Sequence, residues 1–159
     1  MTWRLYRNLE NSIKFFLDSQ ISVDALTGDN GVDVTVRVGR REDNNWALPC
    51  ISVNYESETA PRFEMGSNKR DERYLLIVDI YATNEGERCD LAKWFVDTIN
   101  DGFRYYTYAY NSSDPESPTK TAVGWANIDF LSNTRVNLGQ NIDLIDAHRH
   151  RISLNVWIS

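Results

Sequence analysis

Apolar positions recur every four residues at the start of the chain: Leu5, Leu9, Ile13 and Leu17, with Tyr6 and Phe16 flanking the stripe. That spacing predicts an amphipathic helix over about residues 3–20, with Thr2 as its N-cap. The period then changes. Gly28-Asp29-Asn30-Gly31 is a turn signal, after which Val32, Val34, Val36 and Val38 alternate with Asp33, Thr35 and Arg37 as in a half-buried strand. A polar turn from Gly39 to Asn45 leads to Ile51, Val53 and Tyr55 against Ser52, Asn54 and Glu56. These two alternating runs are expected to pair as an antiparallel hairpin.

The stretch from Ser57 to Glu72 breaks the rhythm with Pro61, Gly66 and the cluster Lys69-Arg70-Asp71-Glu72-Arg73. Such a length predicts a loop, at about 56–73, of the kind that usually serves a function. Tyr74 to Ala82 is apolar on both faces, as in a central strand covered on both sides. Asn84 with Glu87 three positions on makes a capping-box-like start. Leu91, Ala92, Phe95, Val96 and Ile99 then mark one face of a second helix, and Gly102 sits where a C′ glycine would end it. Tyr105, Tyr106, Tyr108 and Tyr110 belong to a further strand, and Asn111 to Thr119, with two prolines, reads as loop. A long β segment runs from Val123 towards Val136, and Ile152, Leu154, Val156 and Ile158 alternate in a last strand. The expected fold is a single α+β domain over 1–159, a mostly antiparallel sheet with two helices packed on one face.

Charge narrows the partners. The chain carries 17 basic and 23 acidic side chains, a net charge of −6, and phosphate binding draws on the opposite balance. No apolar run reaches signal-peptide or membrane-span length, and Cys50 and Cys89 lie in apolar-periodic segments without metal-ligand spacing. Two reduced, buried thiols in a cytoplasm follow.

Enzymatic motifs are scarce. No glycine-rich phosphate loop and no nucleophile elbow occur. The sharpest catalytic arrangement is Asp146, His148 and His150, which share one side of a strand and could hold a metal ion or make an acid/base pair. Arg149 and Arg151 then point to the other face, and basic residues on a strand more commonly blunt an edge. Asp79, inside the apolar central strand, is a candidate buried base, but satisfaction by an arginine or a backbone group is the more common reason for such a residue. No residue is assigned as catalytic or metal-binding, and no cofactor is implied. The run Phe103-Arg104-Tyr105-Tyr106-Thr107-Tyr108-Ala109-Tyr110 carries aromatics on both strand faces, more than a small core requires. Amid acidic neighbours, it points to a protein–protein contact.

The order of elements, together with Pro49-Cys50-Ile51-Ser52-Val53, Leu76-Ile77-Val78-Asp79-Ile80-Tyr81-Ala82, Arg88, Leu91-Ala92 and His148-Arg149, resembles phage tail terminator proteins. These are also called tail completion or tail-to-head joining proteins. The resemblance implies a non-enzymatic virion protein, made in the host cytoplasm, that forms a hexameric ring at the head-proximal end of the tail. Such a ring ends tail tube growth and offers the surface on which the head connector or stopper docks, while DNA passes through its lumen without specific binding. It further implies that Arg62, Phe63, Met65, Lys69 and Arg70, in the long loop, contact the tube or the next subunit. Head–tail stoppers and other neck or adaptor proteins share this layout and are the alternative reading.

Overall fold

The computed structural model describes residues 5–39, 47–59, 72–111, 113–136 and 148–159. Its elements are α1 (Leu5–Asp24), β1 (Thr35–Val38), β2 (Cys50–Thr59), β3 (Arg73–Ala82), α2 (Glu85–Ile99), β4 (Phe103–Asn111), β5 (Asp114–Arg135) and β6 (His148–Ile158). The strands form one six-stranded sheet in the order β1-β2-β3-β6-β5-β4.

Two expectations are corrected here. β1 pairs with β2 in parallel, Thr35 opposite Cys50 and Val38 opposite Val53, so the sheet is mixed. The connection 39–49 is close to the dozen or so residues that a parallel crossover takes, and far longer than a tight hairpin needs. The sheet is also curled into a half-barrel, which replaces the expected mostly antiparallel sheet with two helices packed on one face. The reason lies in α1. In a flat sheet β2 and β4, four strand spacings apart in this order, would be roughly 19 Å from each other. Yet within two turns of α1, Glu10 Oε1 accepts from Tyr55 N of β2 at 3.1 Å, while Ser12 Oγ accepts from Tyr106 N of β4 at 3.0 Å. A single helix reaches both sides of the sheet only if the sheet bends around it.

The strand face turned towards α1 supplies the core. Leu9, Ile13 and Leu17 of α1 are fully buried against a cluster that includes Ile51, Val53, Leu76, Val78, Ile80, Ile152, Leu154 and Val156. The alternation in β6 therefore holds, with Ser153, Asn155 and Trp157 on the outer face. α2 lies over β3 and β6 and adds Leu91, Phe95 and Ile99 to the same core. Its start is as predicted: Asn84 is the N-cap and accepts from Glu87 N at 2.9 Å. The Glu87 carboxylate turns back to accept from Thr83 N at 2.6 Å and also from Asp29 N at 2.7 Å, which pins the turn at Gly28–Gly31 to this helix. Gly102 has φ +81°, and a Cβ there would collide with the Ala126 carbonyl oxygen, so both conformation and space demand glycine.

Two further readings change. The predicted loop 111–119 belongs largely to β5, which begins at Asp114. Its prolines fall where the β4–β5 register shifts, between Ala109 and Asn111, so the missing N–H groups interrupt little regular ladder. Cys50 is buried as expected, but Cys89 is exposed, and neither is in a disulfide. The long loop is narrowed at both ends, since β2 runs to Thr59 and β3 starts at Arg73. Among the described residues, no helix is long and apolar enough to cross a membrane.

The α1–β4 contact is a stability device with a measurable size. Ser12 is fully buried, donates to Asn8 O at 2.7 Å and satisfies Tyr106 N. Ser12→Ala leaves that N–H without a partner and is expected to cost about 1–3 kcal/mol in urea denaturation. Ser19→Ala, where the hydroxyl is exposed and bonds only Phe15 O, is expected to change stability by less than about 0.5 kcal/mol. Equal effects of the two substitutions would show that the hydroxyl of Ser12 is not closing the edge.

Candidate functional site

Strand β6 carries the chemistry that the sequence singled out, and its pleat divides that chemistry between two faces. His150 opposes Ile80 and shares the core-side face with Ile152 and Leu154, whereas Arg149 and Arg151 flank Asp79 on the outer face. The separation of histidines from arginines is the one that period 2 predicts.

On the core side, His150 lies between α2 and β5. Arg88 Nη1 donates to His150 Nδ1, and Nε2 on the other side of the ring meets Asn133 Oδ1. Arg88 has only protons to give, so His150 is the neutral tautomer with its hydrogen on Nε2, donated to Asn133. Burial, and then the positive charge of Arg88, push the imidazole below its ordinary pKa, with Glu85 opposing weakly. Arg88 also donates through Nη2 to Glu85 Oε1 at 2.6 Å and to Cys89 Sγ at 3.2 Å. Glu85 in turn lies 3.6 Å from both Arg135 Nη1 and His148 Nδ1. The hydrogen bond from Arg88 is the main reason that the Glu85 carboxyl is held down at about 2.

This arrangement bears directly on the three-residue metal reading. His148 and His150 do lie on one side of β6, but both nitrogens of His150 are engaged, which leaves no lone pair for a metal ion. Asp146 lies outside the described residues. Among the described residues, no group of three or more His, Cys, Asp or Glu side chains could hold a metal.

On the outer face, Asp79 is almost fully buried. Its Oδ1 accepts from Arg151 Nε at 2.9 Å and its Oδ2 from Arg149 Nη2 at 2.8 Å and Arg151 Nη2 at 3.1 Å. Burial alone would raise the Asp79 pKa, but the bonds from Arg151 and Arg149 outweigh it and the net direction is down. A carboxylate so held is a poor general base. The satisfied-residue reading of Asp79 is the one that the geometry supports, and the partners are the two arginines interleaved with the histidines.

The aromatic strand β4 divides as its alternation predicts. Phe103 and Tyr105 are buried in the core, while Tyr106, Tyr108 and Tyr110 meet the outer side of α1. β5 changes partner along its length. Its first half pairs with β4 as far as Ala126, and its second half, from Ala126 onwards, pairs with β6. Each half thus has one side with no strand partner among the described residues. Val123 and Leu131 are more than half exposed, and Trp125 is 38% exposed. The sequence showed a long β segment here but gave no sign of the change of partner, because exchanging neighbours leaves the alternation intact. Arg62, Phe63, Met65, Lys69 and Arg70 lie outside the described residues.

The shifted groups set a pH dependence. A histidine whose folded pKa is lowered supports the fold while neutral, and that support drains away as pH falls through its unfolded value of about 6.5. Asp79 and Glu85, also lowered, withdraw theirs only below the ordinary carboxylate values of 3.8 and 4.5. Glu10, raised chiefly by burial, acts in the opposite sense and supports the fold more when protonated. Urea midpoints compared at about pH 7.5 and about pH 5.5 are therefore expected to fall for the native chain and to change less for His150→Gln. Identical pH slopes for the two proteins would remove His150 as the source.

The chain matches no model of a known protein family, and comparison with curated proteins finds no significant match.

Proposed function

We propose that this protein is a non-enzymatic assembly subunit that forms a ring at the head-proximal end of a phage tail, ends tube growth and presents the docking surface for the head connector. The observation that carries the reading is β5. A 22-residue strand that changes partner at Ala126 leaves a half-open ladder on each side. Exposed Val123 and Leu131 lie along these stretches, while Trp125, which exchanges backbone hydrogen bonds with Ser159, lies between them. Unpaired strand edges bearing apolar side chains are what a neighbouring chain can cover. Two such edges on opposite sides of one strand suit a head-to-tail contact, which closes into a ring when the rotation permits.

Two other features support the reading. The groups best suited to catalysis are tied up: His150 by Arg88 and Asn133, and Asp79 by Arg149 and Arg151. The net charge of −6 makes a weak phosphate binder, which suits a lumen that DNA must traverse without sticking. The likeness to tail terminators in element order supplies the place in the virion.

Negative-stain microscopy of the purified protein, alone and mixed with tail tubes, tests the proposal. Rings seated at one end of the tubes are expected, and Val123→Glu with Leu131→Glu is expected to abolish them while leaving the circular dichroism spectrum unchanged. Tubes that remain uncapped, with scattering that shows only the 18.4 kDa monomer in their presence, would overturn it.

A further inference from the structure

Away from β6 and the open edges of β5, the outer side of α1 and the β4–β5 hairpin enclose an open groove of about 380 Å³. Arg7, Asn11 and Phe15, one face of α1 at spacing four, form one wall, and Tyr108, Tyr110 and Pro118 form the other. The wall is held rigidly: Asn11 Nδ2 donates to Tyr110 OH at 2.9 Å, and Tyr108 OH donates to Asn11 O at 3.3 Å. Lys14 and Asp18 at the rim are paired with each other at 2.5 Å.

Two cations, Arg7 in the wall of the groove and Lys120 beside it, lie over aromatic rings. The Arg7 guanidinium lies 4.3 Å from the centre of the Tyr110 ring. Lys120 Nζ, on the adjoining strand, lies 3.1 Å from the centre of Phe15 and 5.0 Å from that of Tyr106. Neither Arg7 nor Lys120 forms an ion pair among the described residues. A cation on a ring face is held in position, yet its charge is not cancelled as it would be by a carboxylate. Two fixed positive charges with no ion-pair partner among the described residues thus flank an aromatic groove in a chain whose net charge is −6.

We propose that this groove binds an extended acidic segment of a partner protein, with carboxylates two to four positions apart and a proline or aromatic residue between them. The spacing follows from the strand. Arg7 sits over Tyr110, and Lys120 is the cross-strand neighbour of Tyr108 and lies over Tyr106. The two charges are therefore two to four strand residues apart, on the order of 7–13 Å. In an extended segment that distance separates carboxylates two to four residues apart, and the ring between them meets Tyr108 and Pro118. Single-stranded nucleic acid is disfavoured because bases bind by stacking on open ring faces. Here one face of Tyr110 and one face of Phe15 are already occupied by Arg7 and Lys120. An acidic peptide instead uses those cations where they stand. The inference does not rest on the ring assembly, because it concerns a monomer surface and is tested on one.

The probe is a blocked peptide of alternating Glu and Pro with one central Tyr, titrated into the uniformly 15N-labelled full chain. Saturable shifts are expected for amides of residues 7–18 and 106–120, weakening as salt rises. Arg7→Ala and Lys120→Ala, both at exposed positions, are each expected to reduce affinity about tenfold, as the loss of one charge-assisted hydrogen bond would. The spectrum of each free variant reports that it is folded. Equal binding of the same peptide with Gln in place of Glu would overturn the proposal, as would shifts confined to other surfaces. Tighter binding of an oligothymidylate at these amides would overturn it in favour of nucleic acid.

Discussion

One contact sets the shape of this protein: a row of small polar side chains on α1 takes the place of a strand along the edge of β4. Asn8 Oδ1 accepts from Tyr108 N at 3.3 Å and Ser12 Oγ from Tyr106 N at 3.0 Å, and both residues are fully buried. The match is geometric. Four helical residues rise about 6 Å, and two strand residues advance about 6.8 Å, so polar groups at helical spacing four meet successive outward-facing amides of a strand. Glu10, on a neighbouring face of the same helix, does the same for Tyr55 N on the far side of the sheet. A buried edge left unsatisfied would cost about 1–3 kcal/mol for each group. A curled sheet closed by a helix avoids that cost without the extra strands that a full barrel requires.

The rest of the architecture follows from that closure. With α1 fixed between the edges, its apolar stripe Leu9, Ile13 and Leu17 occupies the centre of the curl, where the even-numbered side chains of β3 and, from Ile152 onwards, of β6 are apolar and meet it. α2 is left to cover β3 and β6, and its buried Arg88 then needs a partner from the sheet, which His150 supplies. The polar cluster at the start of α2 is in this sense a consequence of packing. It is satisfied by neighbouring elements and holds α2, β5 and β6 in fixed relation, as a buried network does when most of its members are paired. Closure at β4 and β2 does not cover the two stretches of β5 that have a strand partner on one side only among the described residues.

Much of this was legible in the chain, and the failures have physical reasons. The helix stripe, the Asn84–Glu87 cap, Gly102 and the alternation of β6 are local signals, written in spacing and turn chemistry, and each appears where its pattern lies. The direction of β1 relative to β2 is not local: alternation is the same for parallel and antiparallel pairs, and only the connection 39–49 distinguishes them. The curl was missed for a subtler reason. Asn8 and Ser12 stand one position before Leu9 and Ile13, and a small polar residue beside an apolar stripe ordinarily reads as the solvated border of a helix. Their common spacing of four was the available signal. At β6 the period placed His148 and His150 together and Arg149 and Arg151 together, but not their partners. Arg88, Asn133 and Glu85 come from α2 and β5, at separations that no motif spans.

The outward-facing regions are not independent of one another. Lys120 belongs to the first half of β5, whose side towards β6 has no strand partner among the described residues, and its ammonium group also caps Phe15 in the groove beneath α1. A neighbour that added a strand along that edge would bring its backbone against the residues on either side of Lys120, Thr119 and Thr121. A segment lying in the groove would meet the ammonium group of the same lysine. The two occupants would therefore be coupled through one side chain, and the coupling would be reciprocal, since any effect of the first on the second must be returned in equal free energy.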